Sequence, residues 1–257
     1  MSDFTEIESR TFQLQACNAD ALALAVALWA RDFGRAMFVV SDETALEPMA
    51  AALRGFAPDC TVLSLSAWDC LPYDRAQPSR TVTGARVAAL AFLARPCGGR
   101  AIVVTTCAAL LQRVPPRERL VARFVAIRSG QSLEPEWLRI TLEAYGYRFD
   151  ELVDEPGEAV IRGGAIDVFP AGSSSPVRLE IADQQVEGIR FFDPLTQRSI
   201  VEIEEVILLP ASEAFAVPGE DVPQSGRRIT DRPLPGGKLE SIFDFAGRSH
   251  RLCRRRR

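Results

Sequence analysis

Gly146-Tyr147-Arg148, Pro156-Gly157-Glu158 and Arg162-Gly163-Gly164-Ala165-Ile166-Asp167-Val168-Phe169-Pro170 punctuate one stretch of this chain. Glycine, proline and paired charge crowd it, yet alternating apolar strands surround it. Ala165 to Phe169 alternates as a half-buried strand does. Gly163-Gly164 reads as a turn that needs positive φ or close backbone approach. Arg148 to Val153, a segment at 157–162, Val177 to Ile181, Val186 to Phe192 and Ile200 to Leu209 read as further short strands. Ala171-Gly172-Ser173-Ser174-Ser175-Pro176 and Asp193-Pro194 separate them. Before them stand a strand over Val121 to Ile127, a turn at Ser129-Gly130 and a helix over Pro135 to Tyr145. This texture predicts a mainly antiparallel α+β region.

Upstream the rhythm differs. Helices are expected over Asp20 to Phe33, capped by Asn18 or Asp20, over Glu43 to Arg54 and over Val82 to Ala94. Buried strands are expected over Ala36 to Val40, Thr61 to Leu65 and Ala101 to Thr105. Thr106 is placed to cap a short helix ending near Gln112. Alternation of this kind predicts a parallel sheet with helices on its faces. Pro115-Pro116 marks the expected boundary. After Pro210 only Leu239 to Phe245 reads as ordered, and Arg251 to Arg257 does not read as the finish of a domain.

Composition narrows the function classes. The chain has 257 residues, 47% of them hydrophobic, enough to bury a core in one or two domains. No apolar run is long enough to span a bilayer, and Met1 to Arg10 is polar and acidic, so a cytoplasmic protein is expected. A net charge of -4 argues against a dedicated nucleic-acid binder. Lys238 is the single lysine among 30 basic residues, a bias of genomic composition rather than of phosphate chemistry. The six cysteines lack CxxC spacing, which argues against a zinc framework and predicts reduced, mostly buried thiols.

Chemistry is sparse. A phosphate-cradling loop needs GxxxxGK[ST] between a strand and a helix, and none is present. Lys238 follows Gly236-Gly237, but Leu239 stands where Ser or Thr is required. His250 is the only histidine, and no GxSxG elbow exists. Glu202, Glu204 and Glu205 read as a strand's solvent face, and Glu134, Glu136 and Glu143 as a helix face. Phe191 and Phe192 are adjacent, so one of them points inward. Two arginines differ from the rest. Arg162 precedes the Gly-Gly turn, and Arg178 lies in the strand after the serine-rich turn. If strands 157–162 and 177–182 share a face, both guanidiniums project from one patch suited to carboxylates. Otherwise they are two solvated surface arginines.

Trp68-Asp69-Cys70-Leu71-Pro72-Tyr73-Asp74, Leu110-Leu111-Gln112-Arg113-Val114, the Gly146-to-Pro170 stretch and Phe192-Asp193-Pro194-Leu195-Thr196-Gln197-Arg198-Ser199 occur in one order. In this the chain resembles the N-terminal region of bacterial transcription-repair coupling factors (Mfd), a region homologous to UvrB. The resemblance covers residues of about 10–210 and extends slightly over Leu208-Leu209-Pro210-Ala211-Ser212-Glu213. It implies an α/β fold: a degenerate helicase-like (RecA-like, P-loop-type) parallel-sheet domain that has lost its phosphate loop, carrying an inserted α+β domain. Residues 1–118 are then the degenerate UvrB-like domain, 119–209 the UvrA-binding-like domain, and 210–257 a truncated remnant with an Arg-rich tail.

The resemblance also implies function. Two arginines of the inserted domain contact UvrA in the family, and by motif they fall on Arg162 and Arg178. An aromatic contact falls on Ala182, where this chain reads Arg178-Leu179-Glu180-Ile181-Ala182 and relatives carry an aromatic. Loss of that anchor predicts weaker affinity. RNA-polymerase-interacting, DNA-translocase and C-terminal masking domains do not fit in 257 residues. The expectation is therefore a non-enzymatic, cofactor-free adaptor that binds UvrA in nucleotide excision repair. Binding to DNA is weak at most, and no membrane is involved. Alternatives are nonspecific nucleic-acid binding through the basic tail, a residual nucleotidase, and a truncated gene product without a role of its own.

Overall fold

The computed structural model describes residues 18–70, 78–94, 99–213, 215, 239–243 and 251–254. Lys238 and His250 lie outside them. Helix α1 (Ala19–Phe33) starts where the Asn18 side chain accepts the Ala21 N–H at 2.8 Å and ends at Gly34, φ 85°. Next come β1 (Arg35–Val40), a 3₁₀ turn (Glu43–Ala45), α2 (Leu46–Phe56), β2 (Thr61–Leu65), α3 (Arg80–Ala94), β3 (Ala101–Thr106) and α4 (Cys107–Leu111). Thr106 caps α4, accepting from Ala109 N at 3.2 Å. The strands pair in parallel, β1 and β2 on either side of β3, as the alternation predicts. Phe38, Val40, Ile102 and Val104 face α1 and α2 on one side of the sheet. Met37 and Val103 face α3 on the other.

Two local expectations fail here. Val121 is not in a strand. It ends a short helix, α5 (Arg117–Val121), whose Leu120 is buried with the first sheet's core. The Arg-rich end is not structureless. Arg251–Arg254 forms β12, a fourth parallel strand beside β1 with Met37 opposite Leu252. Four residues show no periodicity that could reveal a strand; the strand forms only by pairing with the free edge of β1.

The second region is antiparallel as expected. It contains β4 (Val125–Arg128), α6 (Pro135–Ala144), β5 (Arg148–Phe149), β6 (Glu158–Arg162), β7 (Ala165–Val168), β8 (Val177–Ala182), β9 (Gln185–Phe192), β10 (Ser199–Ile203) and β11 (Glu205–Leu208). Strands β10-β9-β8-β7-β6-β5 make one sheet, antiparallel except for the β5–β6 pair. The expected Arg148-to-Val153 strand stops at Phe149. The expected Ile200-to-Leu209 strand is two strands in different sheets, because β11 leaves β10 to pair with β4. Leu138 and Leu142 of α6 cover the inner face of the six-stranded sheet, packing with Ile166, Val168, Leu179 and Ile189.

The two regions meet at α3. Gly172, at φ 74°, sits so close that a Cβ there would lie 2.2 Å from the Ala88 Cβ. Thr83 donates to the Ala211 carbonyl at 3.0 Å. Deeper in the joint, Arg86 and Glu213 form a fully buried ion pair, Nε to Oε1 2.5 Å. Trp68 Nε1 donates to the same carboxylate at 2.9 Å, and Arg86 Nη1 donates to the Ser66 carbonyl at 2.5 Å. Every charged atom there has a partner, which is what allows a buried pair to persist. The pair ties the Trp68 segment to the chain leaving the second region, two motifs far apart in sequence. No helix among the described residues is long and apolar enough to cross a membrane. Cys60 and Cys70 are half-buried and Cys107 is exposed, less buried than expected.

Candidate partner-binding face

Strand periodicity sets the face. In β8, Val177 and Leu179 point into the core, so Arg178 and Glu180 point outward. Register then aligns one outward residue per strand. Val160 of β6 lies opposite Asp167 of β7, Asp167 opposite Arg178, Arg178 opposite Arg190 of β9, and Arg190 opposite Glu202 of β10. The next row runs Arg162, Ala165, Glu180, Gly188. Arg162 and Arg178 therefore share a face, two strands and one row apart, about 12 Å between Cα positions from ideal strand spacing. The condition posed by the sequence is met.

Half of this face is covered. Val153, Phe169, Val160 and Phe192 form a small apolar cluster, and the buried Glu158 carboxylate accepts the N–H groups of Asp154 and Glu155, folding the 150–157 loop onto it. The open half ends in two tight hairpins. Gly163-Gly164 joins β6 to β7, with Gly163 at φ 55°. Asp183-Gln184 joins β8 to β9 with φ of 49° and 60°, a turn that matches strand twist. The hairpins touch: Ile181 N donates to Gly164 O at 2.7 Å, and a Cβ on Gly164 would lie 2.9 Å from the Ile181 carbonyl. Close backbone approach thus explains the second glycine and positive φ the first. Ala182 sits exposed beside this junction, paired with Gln185.

The two arginines are held differently. Among the described residues the exposed Arg162 side chain has no hydrogen-bond or ion-pair partner. Arg178 forks onto Asp167, Nε to Oδ1 2.6 Å and Nη2 to Oδ2 2.8 Å. Its guanidinium lies 4.9 Å from the Phe192 ring centroid. Its side chain keeps 26% exposure, while that of Asp167 keeps 6%. The hydrogen bonds to Asp167 hold the Arg178 pKa above its ordinary value. Arg190 is neutralised from the other side by Glu180 at 2.7 Å and Glu202 at 3.8 Å. Two arginines directly opposite would repel, and these three carboxylates relieve that. Sequence reasoning assigned no role to Asp167 or Phe192. The signal was present as phase, since Asp167 alternates outward in its strand, but only register shows which residue it faces.

The first sheet offers a contrasting feature. In open α/β sheets, ligands bind outside the carboxyl ends of the strands. There, the Asp42 carboxylate accepts from Thr44 at 2.5 Å, Ser41 at 2.8 Å and Ala45 N at 3.1 Å. These bonds hold its pKa below the ordinary aspartate value, Thr44 contributing most. Glu43 accepts from Thr106 at 2.5 Å and from Ala67 N at 3.1 Å. The donors an anion would use are already taken by carboxylates.

Comparison with known proteins bears on the second region. The family model described as "UvrB interaction domain" matches residues 125–214. Over part of its length the chain is similar to transcription-repair-coupling factors. It is 36% identical to that of Escherichia coli (strain K12) over 155 residues, 60% of this chain and 13% of the relative. It is 39% identical to that of Haemophilus influenzae over 146 residues, 57% of this chain and 13% of the relative. With that of Myxococcus xanthus it is 34% identical over 218 residues, 80% of this chain. The chain therefore spans 13% to 18% of the length of these curated relatives. The matched interval begins at β4 and includes both hairpins, the charged row and Glu213.

Proposed function

We propose that this chain is a non-enzymatic adaptor whose UvrB interaction domain binds a UvrA-type protein in nucleotide excision repair. The observation that carries this reading is the placement of Arg162 and Arg178 on one open sheet face inside the matched domain. Arg162 supplies an uncommitted cation and Arg178 a pre-oriented one. Such groups at a partly desolvated surface are suited to anchor a protein partner through carboxylates. Ala182 lies at the edge of the patch, so the small side chain leaves a shallow spot where a ring would add contact area.

In the same reading the first region is a degenerate helicase-like domain. Support comes from Asp42 and Glu43, whose carboxylates occupy the donors at the strand ends and would repel a phosphate.

The test is a binding assay with purified UvrA. Wild-type chain binds, and Arg162→Glu and Arg178→Glu each lower affinity, on the order of tenfold or more for a reversed interfacial charge. A folded wild-type chain that fails to bind refutes the reading. An ATPase assay on the same preparation gives background turnover.

A further inference from the structure

Asp167, Arg178 and Phe192 come from three different strands, yet they form one unit. Asp167 is opposite Arg178 across β7 and β8, at the spacing that puts cross-strand side chains in contact. The carboxylate engages Nε and Nη2 on one edge of the guanidinium. The Phe192 ring, itself fully buried, forms the floor beneath it. An arginine with three or more free rotors normally loses much conformational entropy when it docks onto a partner. Here one edge and one flat side are already fixed. Among the described residues Nη1 makes no hydrogen bond, and it is the edge left for a newcomer. Arg162, one row away, has none of these constraints.

We infer that Asp167 is a positioning residue for partner recognition: held against the Phe192 floor, it presents the Nη1 edge of Arg178 to a carboxylate or carbonyl on the partner. The inference rests on the proposed UvrA-binding role of this face. It adds that the two arginines contribute unequally, Arg178 as a rigid, direction-specific contact and Arg162 as a mobile one. Rigidity of the bound geometry in the free protein is what raises affinity without new contacts. A lysine at position 178 would keep the charge and lose both the fork and the flat stacking surface.

The inference is tested in two arms. In the free protein, the Arg178 Nε–Hε resonance is resolved and exchanges slowly with water, unlike that of Arg162. Asp167→Asn makes the two alike. If the wild-type Arg178 signal exchanges as fast as that of Arg162, the positioning role is overturned whatever UvrA does. In the binding arm, Asp167→Asn weakens UvrA binding roughly tenfold, as loss of a charge-assisted hydrogen bond does. Arg178→Lys weakens it as much as Arg178→Ala. In the Arg178→Ala background, Asp167→Asn has no further effect, whereas combined with Arg162→Ala its effect adds in full. A purely structural role would persist in the Arg178→Ala background, and that result overturns the inference. Thermal melts of each variant separate lost folding from lost recognition. Wild-type binding that depends on Arg178 but not on Asp167 sinks this inference and leaves the proposed function standing. Absence of wild-type binding sinks the function itself, and the inference about recognition with it.

Discussion

The two sheets of this chain handle charge in opposite ways. At the carboxyl ends of the parallel strands, Asp42 and Glu43 turn inward on local donors, and the anion-binding geometry of an α/β sheet is filled from within. On the outer face of the antiparallel sheet, carboxylates are spent on steadying arginines that still face solvent. Asp167 holds Arg178, Glu180 and Glu202 hold Arg190, and Arg162 is left over. The first arrangement closes a site; the second keeps one open. In the Asp167–Arg178 pair the carboxylate is nearly buried while the guanidinium stays partly exposed.

The largest test of that contrast acts on the joint between the regions, where both members of a pair are buried. Arg86→Ala strands the Glu213 carboxylate and costs about 3–5 kcal/mol in denaturant unfolding, the usual consequence of breaking a buried pair. A loss below about 1 kcal/mol would mean the joint is open to water and the two regions are only loosely coupled. A middle-sized effect separates the two arginines of the face. Arg178→Ala leaves the nearly buried Asp167 unpaired and costs about 1–3 kcal/mol. Arg162→Ala stays within about 0.5 kcal/mol, because the side chain has no partner to lose. Equal melting shifts for the two would erase the distinction drawn between them. The smallest effect is at Asp42. Its folded pKa is depressed, so its contribution to stability is complete above the unfolded aspartate pKa. That contribution is lost as pH falls through the lower folded value. Titration of Asp42 by NMR gives a midpoint below the ordinary aspartate value; a midpoint at or above it would mean that the carboxylate is free to leave the strand ends.

Much of this was legible in the residues. The switch from helix–strand alternation to short strands separated by glycine and proline located both sheets, and Asn18 and Thr106 announced their helices as caps. The Gly163-Gly164 turn and the ordered motifs pointed to the region proposed to bind a partner. The misses have local causes. Val121 looked like a strand because Val121 to Ile127 is apolar enough for either state, and packing of Leu120 against the first core decided for helix. Ile200 to Leu209 looked like one strand because sequence cannot show a chain changing sheets. Arg251 to Arg254 looked like a tail because its strand exists only against β1. Asp167 and Phe192 were visible as residues but not as a pair for Arg178, since pairing depends on register.

By itself the sequence determined the positions of most helices and strands, the change of texture between the two regions, and the family resemblance carried by its motifs. These follow from period, turn chemistry and composition, all local along the chain. Tertiary structure alone decided that Asp167 meets Arg178 over Phe192, that Arg86 meets Glu213, and that β12 joins the first sheet. Each of those contacts joins residues brought together by strand register or domain packing. Register is a choice among pairings that differ in how many apolar groups and hydrogen bonds they satisfy at once, and no single segment contains that information.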